Sequence, residues 1–412
     1  MKRSRLAELQ GLGWVTNAAL EKILRRIGDQ AEPLTACSRS AVRRAAHDFV
    51  SAKTAYGAPL QKTELRMEDG SIFQWCYYNP HATLAFLASA SEPFMTALRA
   101  VAKVHPPSEA RPWRLILYLD EASPGNLLRV DNTRKVQTIY WSFAEMGHEL
   151  LCREHCWILG GVLRSAVASK VSGKMSAVVK RLLHSFFGDV FNFMTTGVVI
   201  PGSPPLLIFA KFAVLVADEP AIKSVWNCKG SAGIKPCVLC KNICSVRSEA
   251  VLHDGSGYLK DIASTSVHDW DPHDDASVFE CMDMLAREKP VLSAKDFDEL
   301  EKALGFNYHP ENLSCDLALP ASTLMYDMMH VFMVGGLVNN EFHLMFRLLK
   351  KNFGIGYKYL REFVQQWKWP KRWNENPGEI FNDRREARAM YSVVSICQCH
   401  SDARRNASIP VA

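Results

Sequence analysis

Residues 115–120 read LILYLD, a run of five apolar or aromatic side chains that ends in the carboxylate of Asp120. A continuous apolar run of this length is typical of a β-strand that is covered on both faces. The pattern returns at residues 206–218, LLIFAKFAVLVAD, where a longer and mostly apolar run ends in Asp218. The two runs predict two buried strands, each of which ends in an acid.

The segments between these runs predict the rest of one sheet. Residues 136–143 (VQTIYWSF) and 156–163 (CWILGGVL) have the composition of strands, and residues 197–200 (GVVI) that of a shorter strand. Residues 175–187 repeat apolar side chains at the i, i+3, i+4 spacing of an amphipathic helix. This order predicts three antiparallel strands and then a helical crossover to the strand before Asp218. We therefore expect an α/β fold with a mixed sheet and flanking helices.

The flanking regions predict further helices and a hairpin. Apolar side chains recur at helical spacing in residues 18–28, 41–54 and 83–104. Asp69-Gly70 is a turn signal between short strand-like pieces within residues 56–80. Prolines then mark a boundary shortly before the first buried strand. We expect a helical and mixed N-terminal region at 1–108, an α/β core at 109–320 and a helical segment with an irregular tail at 321–412.

The composition is that of an ordinary globular protein. Apolar residues are 48% of the 412 residues and charged residues 22%, which excludes a largely disordered chain, a collagen and a coiled coil. The net charge of +6 permits a polyanionic partner without requiring one. The most apolar run, at 206–217, contains Lys211 and is shorter than the roughly 20 residues of a membrane span. We expect no membrane segment and, without an apolar stretch near the basic N-terminus, an intracellular protein with reduced cysteines.

Asp120 and Asp218 are far apart in sequence, so only the fold can bring their carboxylates together. Two neighbouring carboxylates repel each other as bare charges, but they become useful when they share divalent cations. Mg²⁺ and Mn²⁺ prefer hard oxygen ligands, and two ions about 3.5–4 Å apart clamp the attacking and leaving oxygens of a phosphoryl transfer. We predict a two-metal site at these acids. The alternative is that an acid at a strand end only shapes the following turn.

A second candidate metal site is the C-x2-C pair formed by Cys237 and Cys240. Two thiolates at this spacing provide half of a tetrahedral zinc site. Cys228 and Cys244 flank the pair, but the chain has no second C-x2-C that would complete the site. Plain buried thiols and a redox pair stay open as alternatives to zinc.

The other half of a zinc site would come from histidines. His268 and His273 have four residues between them, which is a spacing typical of zinc ligands. His253 and His330 are further options. A separate motif near the C-terminus, Cys397-Gln398-Cys399-His400, is another candidate for metal binding.

Asp327 and His330 lie three positions apart and share one face of a predicted helix that runs through Met345. Glu341 is eleven positions beyond His330 (341 − 330), about three helical turns, and so returns to roughly the same face. An isolated histidine on so apolar a segment is more often a core residue than a ligand, and both interpretations stay open.

Three basic residues lie on the polar face of the helix predicted at 175–187 and just before it. They are Lys174, Lys180 and Arg181. Such side chains are candidates for contacts with nucleic-acid phosphates. The alternative is an ordinary solvated helix face.

Together these motifs resemble the DDE transposases of eukaryotic cut-and-paste DNA elements, in particular the CACTA (CMC/EnSpm, Plavaka-like) group. The resemblance rests on LILYLDEASPGN at 115–126, FAVLVADEPAIKSVW at 212–226, CVLC at 237–240 and YDMMHVFMVGG at 326–336. It covers roughly residues 110–345. Each motif is weak alone, and their order carries the specificity.

The resemblance implies a ribonuclease H-like catalytic core in which three carboxylates bind two Mg²⁺ ions. Such an enzyme cleaves DNA at the element ends and joins the freed 3′-hydroxyl to target DNA. Asp120 and Asp218 match the first two catalytic acids, and His330 would orient a carboxylate or contact a substrate phosphate. The resemblance further implies double-stranded DNA as partner, action in the nucleus and a structural zinc, and it leaves a homo-oligomer open.

The sequence departs from the family in its third acid, which usually lies well beyond the D-x-x-H motif and a helical insertion. Only 82 residues follow His330 (412 − 330), and Glu341 is our candidate among acids that stand in no recognisable motif. The other candidates are Glu362, Glu375, Glu379 and Glu386. We therefore expect a C-terminally truncated copy, and an active enzyme and an inactive copy both stay open.

Two alternatives to an active transposase remain. One is a non-catalytic, zinc-stabilised DNA-binding protein derived from a transposable element. The other is an α/β protein unrelated to such elements. Magnesium-dependent cleavage of DNA, metal content and salt-dependent binding to DNA separate the three classes of protein.

Overall fold

The structure is a computed structural model that describes residues 39–122, 134–188, 190–230, 233–245, 248–262, 264, 266–313, 321–333 and 337–366. The chain divides into two compact units, one up to Tyr326 and one from Asp327 onward, and each is described by itself. The predicted helix at 18–28 and the motif at 397–400 lie outside the described residues.

The first unit is built on a seven-stranded mixed sheet flanked by helices, as the α/β pattern predicts. The spatial order of the strands is β1-β2-β5-β4-β3-β8-β11. All neighbours from β1 to β3 are antiparallel, whereas β3, β8 and β11 run parallel to each other. The strands are β1 (Leu60–Arg66), β2 (Ile72–Tyr78), β3 (Trp113–Ala122), β4 (Val136–Phe143), β5 (Ile158–Arg164), β8 (Ala210–Ala217) and β11 (Leu324–Tyr326).

Two further pairs of short strands stand apart from this sheet. β6 (Val198–Ile200) pairs antiparallel with β7 (Leu206–Ile208). β9 (Ile243–Cys244) pairs parallel with β10 (Lys260–Asp261). Both pairs belong to connections that leave the main sheet and return to it.

The helices of the first unit alternate with these strands. They are α1 (Arg39–Ser51), α2 (Pro80–Ala90), α3 (Glu92–Val104), α4 (Gly147–Leu151), α5 (Ser165–Ala168), α6 (Lys174–Phe186), α7 (Glu219–Trp226), α8 (Ala250–His253), α9 (Asp275–Glu288) and α10 (Ala294–Leu304). The second unit contains a π-helical turn at Met329–Met333, α11 (Leu337–Phe353) and α12 (Tyr357–Gln365). No helix among the described residues is long and apolar enough to cross a membrane.

The main core lies between the sheet and α6. Alternate residues of β3, from Trp113 to Leu119, are at most 2% exposed. The ring of Phe186 at the end of α6 meets the ring of Trp141 in β4 edge-on, with 5.1 Å between centroids. Burying one leucine-sized side chain stabilises a fold by about 1.5–3 kcal/mol. This core therefore holds β3 in the middle of the sheet.

The predicted order of three antiparallel strands, a helix and a further buried strand is confirmed, and the structure shows that this last strand runs parallel to the first. Two predicted elements are divided, however. The helix expected at 83–104 begins earlier and is two helices, because the Ser91 side chain caps α3 by accepting a hydrogen bond from the Phe94 N–H, and Pro93 follows. The strand expected at 206–217 is split at Phe209 into β7, which pairs with β6, and β8, which joins the main sheet.

Candidate catalytic and metal-binding sites

Asp120 and Asp218 lie next to each other at the carboxyl edge of the sheet. β3 and β8 run parallel, and Leu119 is the register partner of Ala217. Asp120 directly follows Leu119 in the sequence, and Asp218 directly follows Ala217. Because neighbouring strands lie about 4.8 Å apart, the sheet itself brings the backbones of the two acids together. Both residues are half-buried.

Asp120 lies on a face of the sheet that neighbouring residues partly cover. The Thr138 hydroxyl donates a hydrogen bond to the backbone carbonyl of Asp120 at 3.0 Å. Burial raises the pKa of the Tyr140 hydroxyl, and the negative charge of Asp120 raises it further. Tyr140 and Thr138 both belong to β4, so this carboxylate lies over the β3–β4 pair.

Asp218 is the N-cap of α7. Its Oδ1 accepts a hydrogen bond from the Ala221 N–H at 2.8 Å. A carboxylate at this position stabilises a helix by about 0.5–2 kcal/mol, because it pairs with an N–H that has no partner within the helix. One of the two carboxylate oxygens of Asp218 therefore shapes the local chain after the strand, as the alternative interpretation of this acid predicts. The cap also fixes the direction in which the side chain projects.

The neighbouring acids have other partners. Glu121 accepts hydrogen bonds from Lys135 at 2.5 Å, Gln137 at 2.9 Å and Ser165 at 2.9 Å. Burial acts to raise the pKa of Glu121, but these three partners outweigh it and lower the pKa below its ordinary value. Glu219 pairs with Lys223 within α7. In each Asp-Glu pair, the glutamate thus has its own hydrogen-bond or ion-pair partners, which differ from those of the aspartate.

The thiols of Cys237 and Cys240 interact directly. Burial raises the pKa of Cys240 to about 12, and the charge of Cys237 and a hydrogen bond with it contribute to the rise. Burial also raises the pKa of Cys228, and Cys237 contributes there too. The charge of Cys237 thus acts on both Cys228 and Cys240, whereas the pKa of Cys244 responds to burial and to Lys235.

The backbone beside His273 lies against the C-x2-C loop. The His273 N–H donates to the carbonyl of Leu239 at 2.8 Å, and Cys240 pairs with Pro272 in an isolated antiparallel bridge. The His273 ring is 3.0 Å from the Ser277 hydroxyl through Nδ1. Burial, helped by Lys235 and Lys241, lowers its pKa to about 4, so the imidazole is neutral at neutral pH. A neutral imidazole is the form that binds zinc.

The other histidine candidates stand away from this loop or belong to other structures. His268 is exposed in a short 3₁₀ turn. His253 is exposed at the end of α8, 3.9 Å from the Glu249 carboxylate. Among the residues that the structure describes, no three His, Cys, Asp or Glu side chains form a group that could hold a metal ion. The donor chemistry at Cys237 and Cys240 thus fits half of a zinc site.

In the second unit, Asp327 and His330, which were predicted to share one helical face, are in contact. His330 Nδ1 lies 2.8 Å from Asp327 Oδ2, and Asp327 Oδ1 accepts a hydrogen bond from the Met329 N–H at 2.9 Å. The described parts of the segment expected as one helix from Asp327 through Met345 are a π-helical turn and α11. Residues 334–336 between them lie outside the described residues, and the relation expected between His330 and Glu341 stays a prediction.

The candidates for the third acid are only partly described. Glu341 is exposed in α11, and Glu362 is exposed in α12. Glu375, Glu379 and Glu386 lie outside the described residues. The third carboxylate thus stays a prediction.

The predicted phosphate contacts fall into two kinds. Lys174 begins α6 and is exposed. Lys180 and Arg181 lie two turns further along α6, and Lys180 is only 8% exposed, which an ordinary solvated face does not explain. Sequence reasoning missed Arg66 and His184, which line the same cavity as these two residues. No spacing rule connects Arg66 to α6, since β1 and the helix meet only in the folded chain.

Comparison with known proteins gives no family. The chain matches no protein-family model and no curated protein.

Proposed function

We propose that this protein acts on DNA as a transposase of the DDE type, similar to the CACTA group, and cleaves and joins strands with Mg²⁺ or Mn²⁺. The observation that carries the proposal is the parallel register of β3 and β8, with Leu119 opposite Ala217 and an acid after each. A pair of carboxylates at adjacent strand ends is the arrangement that two-metal phosphoryl transfer requires.

The strand order supports a ribonuclease H-like core as part of this proposal. Three antiparallel strands, β3, β4 and β5, precede α6, and the chain then adds β8 and β11 parallel to β3. The first strand of this set is therefore the central one, with its acid at the carboxyl edge. Fold analogy alone does not establish an activity, so the site residues carry the argument.

Asp120 and Asp218 would hold the divalent metal. When bound, the ions activate the attacking oxygen and stabilise the leaving oxygen of the phosphodiester. The chain's own contribution is to orient the ligands. The N-cap bond to Ala221 fixes the Asp218 side chain, and Glu121 is held in its own hydrogen bonds on β3. Two carboxylates supply two of the three ligands that the family uses.

A second candidate function is a zinc-stabilised DNA-binding protein without catalysis. It is favoured by the contact between the Cys237 and Cys240 thiols and by the neutral His273 beside their loop. In this case a zinc ion would stabilise a region with little regular structure, and Asp218 would serve only as a helix cap. Both candidate functions have DNA as the partner, and we propose that the protein acts in the nucleus.

Magnesium-dependent nicking of supercoiled DNA tests the leading function. We expect nicking by the wild-type protein and its loss in Asp120→Asn, which removes the charge with little change in volume. Glu219→Gln is the matched control, because it neutralises an acid next to Asp218 that pairs with Lys223, and it should nick like the wild type. Equal nicking by Asp120→Asn, or none by the wild type with either metal, would contradict the enzyme assignment.

A further inference from the structure

A polar cavity of about 440 Å³ opens between the end of β1, the turn before α6, α6 itself and the loop at 309–311. Its size falls within the roughly 300–1,000 Å³ of small-molecule sites. The charged and titratable side chains that line it are Arg66, Lys180, Arg181, His184, Glu64 and Glu311. Apolar side chains line another part of the cavity wall: Leu65, Val171 and Pro310.

Hydrogen bonds between elements that are distant in sequence form the walls of this cavity. The Ser172 N–H donates to the carbonyl of Arg66 at 2.8 Å, and the Ser172 hydroxyl lies 3.2 Å from His309 Nε2. The Ser176 hydroxyl accepts a hydrogen bond from the Leu313 N–H at 2.7 Å. The cavity is therefore formed by the fold before any ligand arrives.

Gly173 allows the loop to approach the start of α6. Its φ is +80°, and a Cβ at this position would lie only 2.9 Å from the Glu311 Cβ. Any other residue would meet both a strained backbone and a steric clash. The close approach sets the width of the cavity beside Lys180.

The charges in the cavity favour an anion. Three permanent positive charges face two carboxylates, and both carboxylates have partners: Glu311 lies 3.9 Å from Lys180 Nζ, and Glu64 accepts a hydrogen bond from Gln74 at 3.0 Å. Among the described side chains, no carboxylate lies within 4 Å of the guanidinium of Arg66 or Arg181. Guanidinium groups match the oxygens of a phosphate in pairs of hydrogen bonds.

We propose that this cavity binds the phosphate group of a nucleotide, either a free mononucleotide or a unit of the DNA backbone. The apolar wall would contact the sugar and base while the two arginines and Lys180 hold the phosphate. This site is separate from the carboxylate pair, and the inference does not depend on catalysis.

The position of the cavity on the sheet suits a DNA strand that also reaches the carboxylates. β1 runs in the same direction as β3, since two antiparallel steps relate β1 to β5 and two more relate β5 to β3. Arg66 thus ends its strand at the same sheet edge as Asp120. Four strand spacings amount to about 19 Å, which is the length of about five to six base pairs.

The test compares two residues inside the cavity with one outside it on another helix. Arg181→Gln and Arg66→Gln change exposed side chains and should leave folding intact, which thermal unfolding checks. Lys103→Gln is the matched control, since it removes one positive charge from an exposed position on α3 that does not line the cavity. The probes are deoxyadenosine monophosphate and a 20-base-pair duplex, with affinity measured by calorimetry and by fluorescence anisotropy.

We expect each arginine variant to bind its ligand about tenfold more weakly, as the loss of a hydrogen bond to a charged group predicts, and Lys103→Gln to bind within about twofold of wild type. Loss for both probes identifies a free nucleotide as a ligand, and loss for the duplex alone, with no binding of the mononucleotide by wild type, identifies the DNA backbone. Either result supports the site.

The proposal is overturned if the arginine variants bind both probes like Lys103→Gln, or if the wild type binds neither. Failure of the catalytic assignment gives a different result. In that case wild-type protein does not nick DNA, whereas the difference in phosphate affinity between Arg181→Gln and Lys103→Gln persists.

Discussion

The two candidate metal sites are held by different kinds of structure. Asp120 lies near the end of β3 and Asp218 directly follows β8 in a seven-stranded sheet, so ladder hydrogen bonds and a buried core set their backbone positions. Cys237 and Cys240 lie in a connection whose described strands, β9 and β10, have two residues each. A sheet fixes a site through its register, whereas such a connection depends on contacts between loops. A bound ion would stabilise the loops more than the sheet.

The largest expected effect concerns the connection between α7 and β11 that contains Cys237 and Cys240, which we call the cysteine region. Purified wild-type protein should contain about one zinc per chain, and Cys237→Ser and Cys240→Ser should contain none, because a two-thiolate half-site does not survive the loss of one thiolate. Metal analysis after dialysis measures this. Cys76→Ser is the control, since Cys76 is exposed on β2, and it should retain the metal. A wild-type protein without zinc would leave these residues as plain buried thiols.

The next effect concerns the sheet. Leu117 is fully buried in the middle of β3, and Leu117→Ala should lower the free energy of unfolding by about 2–5 kcal/mol because it leaves a cavity. Leu252→Ala, at a position 81% exposed in the cysteine region, should change it by less than about 0.5 kcal/mol. Urea denaturation measures both variants. Similar losses for the two would contradict the contrast between a rigid sheet and loop-built connections.

A buried histidine makes a smaller, pH-dependent contribution. His81 in α2 is fully buried, with its ring 4.3 Å from the ring of Phe193 between centroids, and burial lowers its pKa to about 3. In the unfolded chain, His81 binds a proton near pH 6.5. The contribution of the neutral, buried His81 to the free energy of unfolding is therefore fully present above that pH and is lost as the pH falls toward 3. The loss should be about 1.4 kcal/mol for each pH unit below 6.5.

Denaturation of wild type and His81→Leu at pH 7, 6 and 5 measures this contribution. The variant should lose less stability than wild type between pH 7 and 5. His253→Leu, which changes an exposed histidine in the cysteine region, should follow the wild-type curve. A wild-type profile as flat as that of His81→Leu would show that His81 does not control the acid sensitivity.

Much of the sheet is predictable from sequence because each strand carries its own signal. The apolar runs before Asp120 and Asp218 and the helical periodicity of α6 are local patterns, and the structure confirms the elements they predict. The split at Phe209 was missed, since both sides of it are equally apolar and only pairing with different strands separates them.

The sites are less predictable than the elements. The sequence points to two acids at strand ends, but the register that makes them neighbours comes from hydrogen bonds between segments far apart in the chain. His273 was predicted beside the cysteines from spacing alone, and its backbone does contact their loop, while its ring turns to Ser277. Arg66 carried no signal, because β1 and α6 come to line one cavity only in the folded chain.

The most direct test of the central claim is the affinity of the protein for Mn²⁺, measured by calorimetry on wild type, Asp120→Asn and Asp218→Asn. Asparagine at position 218 still caps α7 with its side-chain oxygen, so this variant removes the charge while preserving the fold. We predict that wild type binds Mn²⁺ and that each variant binds it at least about tenfold more weakly, as expected for the loss of one charged ligand, whereas Glu219→Gln binds normally. Equal affinity in all four proteins, or no binding by wild type, would contradict a shared metal site at the ends of β3 and β8.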